Sequence, residues 1–114
     1  MKQIRDILWF SFKQEGYKPI LAENGQKGIE YLFDRENAID LVILDVMMPK
    51  MDGFEVLEKI RTSNDPVSKT PIIMLTAKAQ KEDVIKGLSK GASDYVLKPY
   101  KFADLLAKVQ ALIG

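Results

Sequence analysis

One stretch of the chain constrains its fold most: Leu41-Val-Ile-Leu-Asp45, with Pro49 four residues further on. A continuous apolar run of this length, bounded by turn signals, is typical of a strand buried on both faces of a parallel sheet. Ligands of open parallel sheets bind at the carboxyl ends of the strands. Asp45 is therefore the first candidate for chemistry, although an aspartate that merely ends a strand would give the same pattern.

The remaining residues alternate between helical and strand patterns. Periodicity predicts helices over 3–15, 54–63, 81–90 and 102–113, and another that follows the Asn24-Gly25 turn and ends near Asn37. Further strands are predicted over 18–22, 71–76 and 94–98. Pro19 cannot donate to a ladder, so 18–22 is predicted to be an edge strand. This alternation predicts an α/β fold with a parallel sheet covered on both faces. The 114 residues support one domain, 1–114.

Composition excludes several classes of function. The chain has no cysteine and no histidine, which rules out disulfides, thiol nucleophiles and Ser-His catalysis. Any bound metal must be held by oxygen, which favours Mg²⁺, Mn²⁺ or Ca²⁺. With 17 basic and 16 acidic residues, the chain gives no electrostatic reason to bind nucleic acid or an anionic membrane. No signal peptide or membrane-length apolar run is present, so a cytoplasmic location is expected.

Three polar residues end apolar strands: Asp45, Thr76 and Lys98. In a parallel sheet all three lie at the same edge. A carboxylate, a hydroxyl and an ammonium group together suit the handling of a phosphoryl group, with Asp45 as nucleophile and the other two stabilising charge. Each residue alone also has a structural explanation, as a strand end, a helix cap or a solvated charge. Their coincidence at three strand ends favours the functional interpretation.

The motifs that surround these residues resemble the receiver domain of two-component response regulators. Leu44-Asp45-Val-Met-Met-Pro49 and Met51-Asp-Gly53 resemble the phosphoacceptor strand and its loop. Thr76-Ala77 resembles the switch hydroxyl with its small neighbour. Gly91-Ala-Ser-Asp-Tyr95 and Lys98-Pro-Tyr100 resemble the last strand and its ending. The resemblance covers essentially the whole chain and implies a flavodoxin-like fold with strand order 2-1-3-4-5.

The resemblance also implies a function. Asp45 would accept a phosphoryl group from a sensor histidine kinase, a phosphotransfer protein or a small phosphodonor, without being a turnover enzyme. Asp45 and the backbone carbonyl of Met47 would help to hold Mg²⁺. Thr76 and Tyr95 would switch position on phosphorylation, and Lys98 would pair with the phosphoryl group through a cis bond to the following proline. The signal would pass to an output protein partner.

The chain departs from the family pattern at its start. Receiver domains open with a strand that ends in two acidic Mg²⁺ ligands, whereas Ile4-Arg-Asp-Ile-Leu8 already resembles the first helix. The interpretation is therefore an N-terminally incomplete receiver domain with weak Mg²⁺ binding. The missing strand would leave a gap beside 41–45. Either the strand over 18–22 would slide across to pair with 41–45, or a second chain would fill the gap; a homodimer or strand-exchanged oligomer is the expectation.

Two other functions remain open. A pseudo-receiver would keep the fold as an interaction module without phosphotransfer, and the absent acidic pair favours it. A phosphohydrolase of the haloacid-dehalogenase type also combines Asp, Thr and Lys at strand ends. That family needs a second aspartate two residues after the nucleophile, where this chain has Met47.

Overall fold

From Val42 onward, strands and helices alternate as predicted. The computed structural model describes residues 2–22, 24–34, 36–46, 52–76 and 81–114. Its helices are α1 (Lys2–Gln14), α2 (Gly25–Phe33), α3 (Gly53–Arg61), α4 (Lys81–Ser89) and α5 (Phe102–Ile113). Its strands are β1 (Val42–Asp45), β2 (Ile72–Thr76) and β3 (Asp94–Leu97). One turn of 3₁₀ helix, Pro66–Lys69, lies in the connection between α3 and β2. No helix among the described residues is long and apolar enough to cross a membrane.

The strands of the described residues form one parallel sheet in the order β1-β2-β3. Val42 lies opposite Ile72 in the first pair, and Ile73 lies opposite Asp94 in the second. All five residues of β2 are buried, because a neighbouring strand lies on each side and helices cover both faces. This central strand is the apolar run predicted over 71–76; it begins at Ile72, and the carbonyl of Pro71 accepts from the Val42 N–H at 2.9 Å.

The helices cover the two faces of the sheet. On one face, α2 and α3 pack on β1 and β2 through a buried cluster that includes Leu32, Leu57 and Met74. On the other face, α1 and α5 pack on β2 and β3 through a cluster that includes Phe12 and Leu105. Residues of β2 alternate between the two clusters, as the period of a strand requires. The parallel sheet with helices on both faces is therefore confirmed.

Residues 18–22 do not form the predicted edge strand. They carry no strand assignment, and no described strand pairs with them. A segment forms a β-strand only when it is hydrogen bonded to a neighbouring strand. Here the chain instead leaves α1 through a turn in which the Tyr17 N–H donates to the Phe12 carbonyl. Trp9 Nε1 holds the segment by donating to the Pro19 carbonyl at 3.0 Å. Ile20 and Leu21 are consequently left exposed.

Candidate functional site

The register of the sheet brings the three predicted strand ends together. Asp45 ends β1 opposite Leu75, the residue before Thr76. Thr76 ends β2 opposite Leu97, the residue before Lys98. The ladder continues past both strand ends, with Val46 N–H donating to the Leu75 carbonyl at 2.9 Å and Lys98 N–H to the Thr76 carbonyl at 2.8 Å. The side chains of Asp45, Thr76 and Lys98 therefore lie at the ends of three adjacent strands, at one edge of the sheet.

Asp45 and Lys98 form an ion pair across this edge. Lys98 Nζ donates directly to Asp45 Oδ2. Both side chains are about one quarter exposed, at 27% for Asp45 and 25% for Lys98, so the pair is reachable from solvent. The Lys98–Pro99 peptide is cis, as expected. The ammonium group of Lys98 can also bind a phosphoryl oxygen. Lys98 can therefore exchange the Asp45 carboxylate for another anionic partner.

Thr76 and Tyr95 lie on the same face of the sheet. Tyr95 on β3 is the register partner of Met74, two residues before Thr76. Residues two apart on a strand point to the same side, so both face α3 and α4. The side chain of Thr76 is 1% exposed, and the partly buried Tyr95 packs against the cluster under α3.

Gly53 fixes the return of the chain after β1. Its N–H donates to the Val46 carbonyl at 3.0 Å. A Cβ atom at this position would lie 2.7 Å from the Asp45 carbonyl oxygen and 2.9 Å from Val46 Cα. The approach of α3 to the end of β1 is thus possible because residue 53 is glycine. The motif Met51-Asp-Gly53 indicated a loop here but not this close contact.

Asp52 belongs to α3 rather than to the ion pair. Its side chain caps the helix by accepting from the Glu55 N–H at 2.9 Å. The N-cap position of a helix favours short polar side chains of this kind. The side chain is exposed, and the cap explains its position without a role in ligand binding.

Tyr100 is a neighbour of Asp45 to which sequence analysis gave no role of its own. Burial raises the pKa of Tyr100, and the negative charge of Asp45 raises it further. Its ring packs with the cluster between α1, α5 and the sheet. The sequence Lys98-Pro-Tyr100 could have indicated this position, because a tyrosine two residues after Lys98 must lie near it.

The described residues do not provide a Mg²⁺ site. Among them, no three acidic side chains come together, and the one carboxylate at the edge, Asp45, is paired with Lys98. The backbone carbonyl predicted to assist, that of Met47, lies outside the described residues. A hard cation that requires several oxygen ligands does not fit the donor set described.

Comparison with known proteins decides the family. Residues 1–110 match the model of the response regulator receiver domain. The chain belongs to this family. A receiver domain of a Francisella response regulator is 31% identical, with a TM-score of 0.86 over 97% of this chain and 88% of the other. Vibrio cholerae chemotaxis protein CheY4 is 29% identical, with a TM-score of 0.88 over 97% and 90%.

A third similar structure represents an activated state. The BeF3-activated N-terminal receiver domain of Klebsiella pneumoniae RstA is 26% identical, with a TM-score of 0.84 over 96% of this receiver domain and 89% of that chain. The resemblance to the family and the flavodoxin-like fold are therefore confirmed. Receiver domains are signalling domains and in general not turnover enzymes. They generally bind Mg²⁺ in an acidic pocket and interact with histidine kinases or phosphotransfer proteins and with output domains.

Proposed function

We propose that this receiver domain accepts a phosphoryl group on Asp45 and uses it to switch its interactions with an output protein. The donor is a sensor histidine kinase or a phosphotransfer protein. The observation that carries the proposal is the solvent-reachable ion pair of Asp45 with Lys98, beside Thr76 at the same edge of the sheet. The two-component role agrees with a cytoplasmic location.

The chemistry requires only a displacement at phosphorus. A carboxylate oxygen of Asp45 forms a bond to phosphorus, while the P–N bond of a phosphohistidine or the P–O bond of acetyl phosphate breaks. The leaving imidazole or acetate keeps the electron pair. Lys98 moves from the carboxylate to a phosphoryl oxygen and neutralises the charge there. The hydroxyl of Thr76 donates to a second phosphoryl oxygen.

Acetyl phosphate labelling, followed by intact-mass measurement, tests the assignment. We expect a gain of one phosphoryl group that is lost in Asp45→Asn. Asp52→Asn is the matched control, because asparagine preserves the helix cap and leaves the ion pair untouched. Label that persists in Asp45→Asn, or that disappears equally in Asp52→Asn, would contradict the assignment.

The same experiment measures the contribution of Mg²⁺. Only Asp45 supplies a carboxylate at the described edge, with the Met47 carbonyl as the proposed second ligand, so we expect Mg²⁺ affinity on the order of millimolar or weaker. Labelling with and without Mg²⁺ should therefore differ only at high metal concentration. Calorimetric titration that shows sub-millimolar binding would mean that other ligands complete the site.

A pseudo-receiver is the second candidate. The lack of a cluster of three acidic side chains among the described residues favours it. In this case the domain binds partners through the same fold without phosphotransfer. The absence of labelling by acetyl phosphate at any Mg²⁺ concentration, in a protein that still unfolds cooperatively, would select this function.

The proposed partner surface is formed by α4, β3 and α5. Several large apolar residues of these elements are exposed, among them Ile85 at 54%, Leu88 at 49% and Leu97 at 46%. Ile85 and Leu88 are three residues apart and therefore lie on one face of α4, and grouped exposed apolar side chains are typical of protein interaction sites. Tyr95 belongs to β3 in this surface, faces the same side of the sheet as Thr76, and is the proposed link. If Tyr95→Ala left partner binding unchanged with and without phosphorylation, this link would be wrong.

A further inference from the structure

The side chain of Tyr95 occupies the space beside Gly87 on α4. A Cβ atom built on Gly87 would lie 1.7 Å from Tyr95 Oη, 2.6 Å from Cζ and 2.9 Å from Cε2. Real Cβ atoms essentially never come within 3.0 Å of another heavy atom. The end of the tyrosine ring therefore lies where every other amino acid would place its side chain.

Nothing in the helix itself requires a glycine at this position. Gly87 lies inside α4, and its backbone is not among those with positive φ. Glycine is less favourable than alanine in a helix interior because it has more backbone freedom to lose. The close approach of the Tyr95 ring supplies the missing reason.

A second helical glycine, Gly28, has room for a side chain. Gly28 lies inside α2, and a Cβ atom there would meet only Ala22 Cβ, at 3.7 Å. That distance is an ordinary van der Waals contact. The two glycines share a helical setting and differ in the aromatic ring, so Gly28 provides a matched control.

We propose that Gly87 is the positioning residue for Tyr95. The ring lies against α4 only because residue 87 has no side chain, and a methyl group there would move the ring away from α4. Tyr95 and Thr76 face the same side of the sheet, so the position of the ring depends on α4 at one end and borders the phosphoryl site at the other. The consequence for signalling rests on the proposed function, whereas the contact does not.

Nitration of tyrosine by tetranitromethane, located by peptide mass mapping, tests the position of the ring. We expect Gly87→Ala to raise the nitration rate of Tyr95 about fivefold or more, because one added methyl in a filled space displaces its neighbour. Gly28→Ala should leave the rate within about twofold. An unchanged rate in Gly87→Ala would overturn the proposal.

A double-mutant cycle keeps the proposal testable if Gly87→Ala folds poorly. We expect Gly87→Ala to lower the urea midpoint when Tyr95 is present and to raise it in a Tyr95→Ala background, because only the helix preference for alanine then remains. Equal lowering in both backgrounds would overturn the assignment to Tyr95. Neither measurement uses a phosphodonor, so failed acetyl phosphate labelling contradicts the proposed function alone, and an unchanged nitration rate or an additive cycle contradicts the role of Gly87 alone.

Discussion

At the scale of single residues, the lack of a side chain at Gly53 controls how closely α3 approaches the end of β1. The backbone of Gly53 is hydrogen bonded to Val46 and lies against the Asp45 carbonyl. Both neighbours are backbone, which cannot turn aside as a flexible side chain can. An added methyl group must therefore move α3 or the end of β1.

We expect Gly53→Ala to destabilise the domain by roughly 1–3 kcal/mol, the usual penalty for overpacking. Urea denaturation followed by circular dichroism measures it. Gly28→Ala is the control and should stabilise by about 0.5–1 kcal/mol, since its Cβ has room and alanine favours the helix. A neutral Gly53→Ala variant would mean that the turn after β1 relaxes without cost.

At the scale of elements, Arg61 joins three separate segments of the chain. From the last turn of α3, its Nε donates to the Gly91 carbonyl at 2.9 Å. Its Nη1 donates to the Ser68 carbonyl at 2.9 Å and to the Thr70 carbonyl at 2.7 Å. Burial lowers the pKa of Arg61. The guanidinium thus ties α3 to the entrance of β2 and to the turn between α4 and β3.

Replacing Arg61 with lysine keeps the positive charge but removes the planar guanidinium group, so it tests whether the geometry of the three hydrogen bonds matters. We expect Arg61→Lys to lower the free energy of unfolding by about 1–3 kcal/mol, because an ammonium group cannot bond all three carbonyls in a fixed plane and partly buried acceptors lose their donors. Urea denaturation measures the change. Lys59→Ala, an exposed change on the same helix, should stay within about 0.5 kcal/mol. Equal effects of both variants would show that the carbonyl contacts contribute little.

At the scale of the whole molecule, β1 is an edge strand of the described sheet although its sequence is that of a central strand. It pairs only with β2, and Val42 and Ile43 are half-buried. Val42 and Val46 donate to the β2 side, so the N–H of Ile43 points to the open edge, because alternate residues of a parallel strand bond to opposite sides. Such an edge is a template for another strand.

We therefore expect a homodimer or strand-exchanged oligomer at high protein concentration. Light scattering over a dilution series measures the mass. Ile43→Pro removes the outward N–H without affecting the β2 ladder, as an edge strand tolerates, and should shift the mass towards that of a monomer. A mass of 12.9 kDa at every concentration, with a cooperative thermal transition, would show that the edge is closed within one chain.

The sequence by itself determined the elements of the sheet and the edge at which its polar residues meet. The runs that end at Asp45, Thr76 and Lys98 predicted β1, β2 and β3 nearly to the residue, because a continuous apolar run cannot be placed in solvent. The convergence of the three ends follows from parallel pairing alone. The family motifs were equally local, and the match over residues 1–110 confirmed them.

Only the tertiary structure decided which predicted elements found partners. Residues 18–22 have the composition of a strand and form none, because a strand depends on a neighbour that sequence periodicity does not supply. The helical pattern over 3–15 likewise does not show how much of α1 meets the sheet, since Phe12 is buried whereas Ile7 is 64% exposed. The contact between Arg61 and the Gly91 carbonyl joins residues 30 positions apart, and the contact of Gly87 with Tyr95 joins a helix to a strand. Such contacts depend on packed distances of a few ångströms, which composition and spacing do not contain.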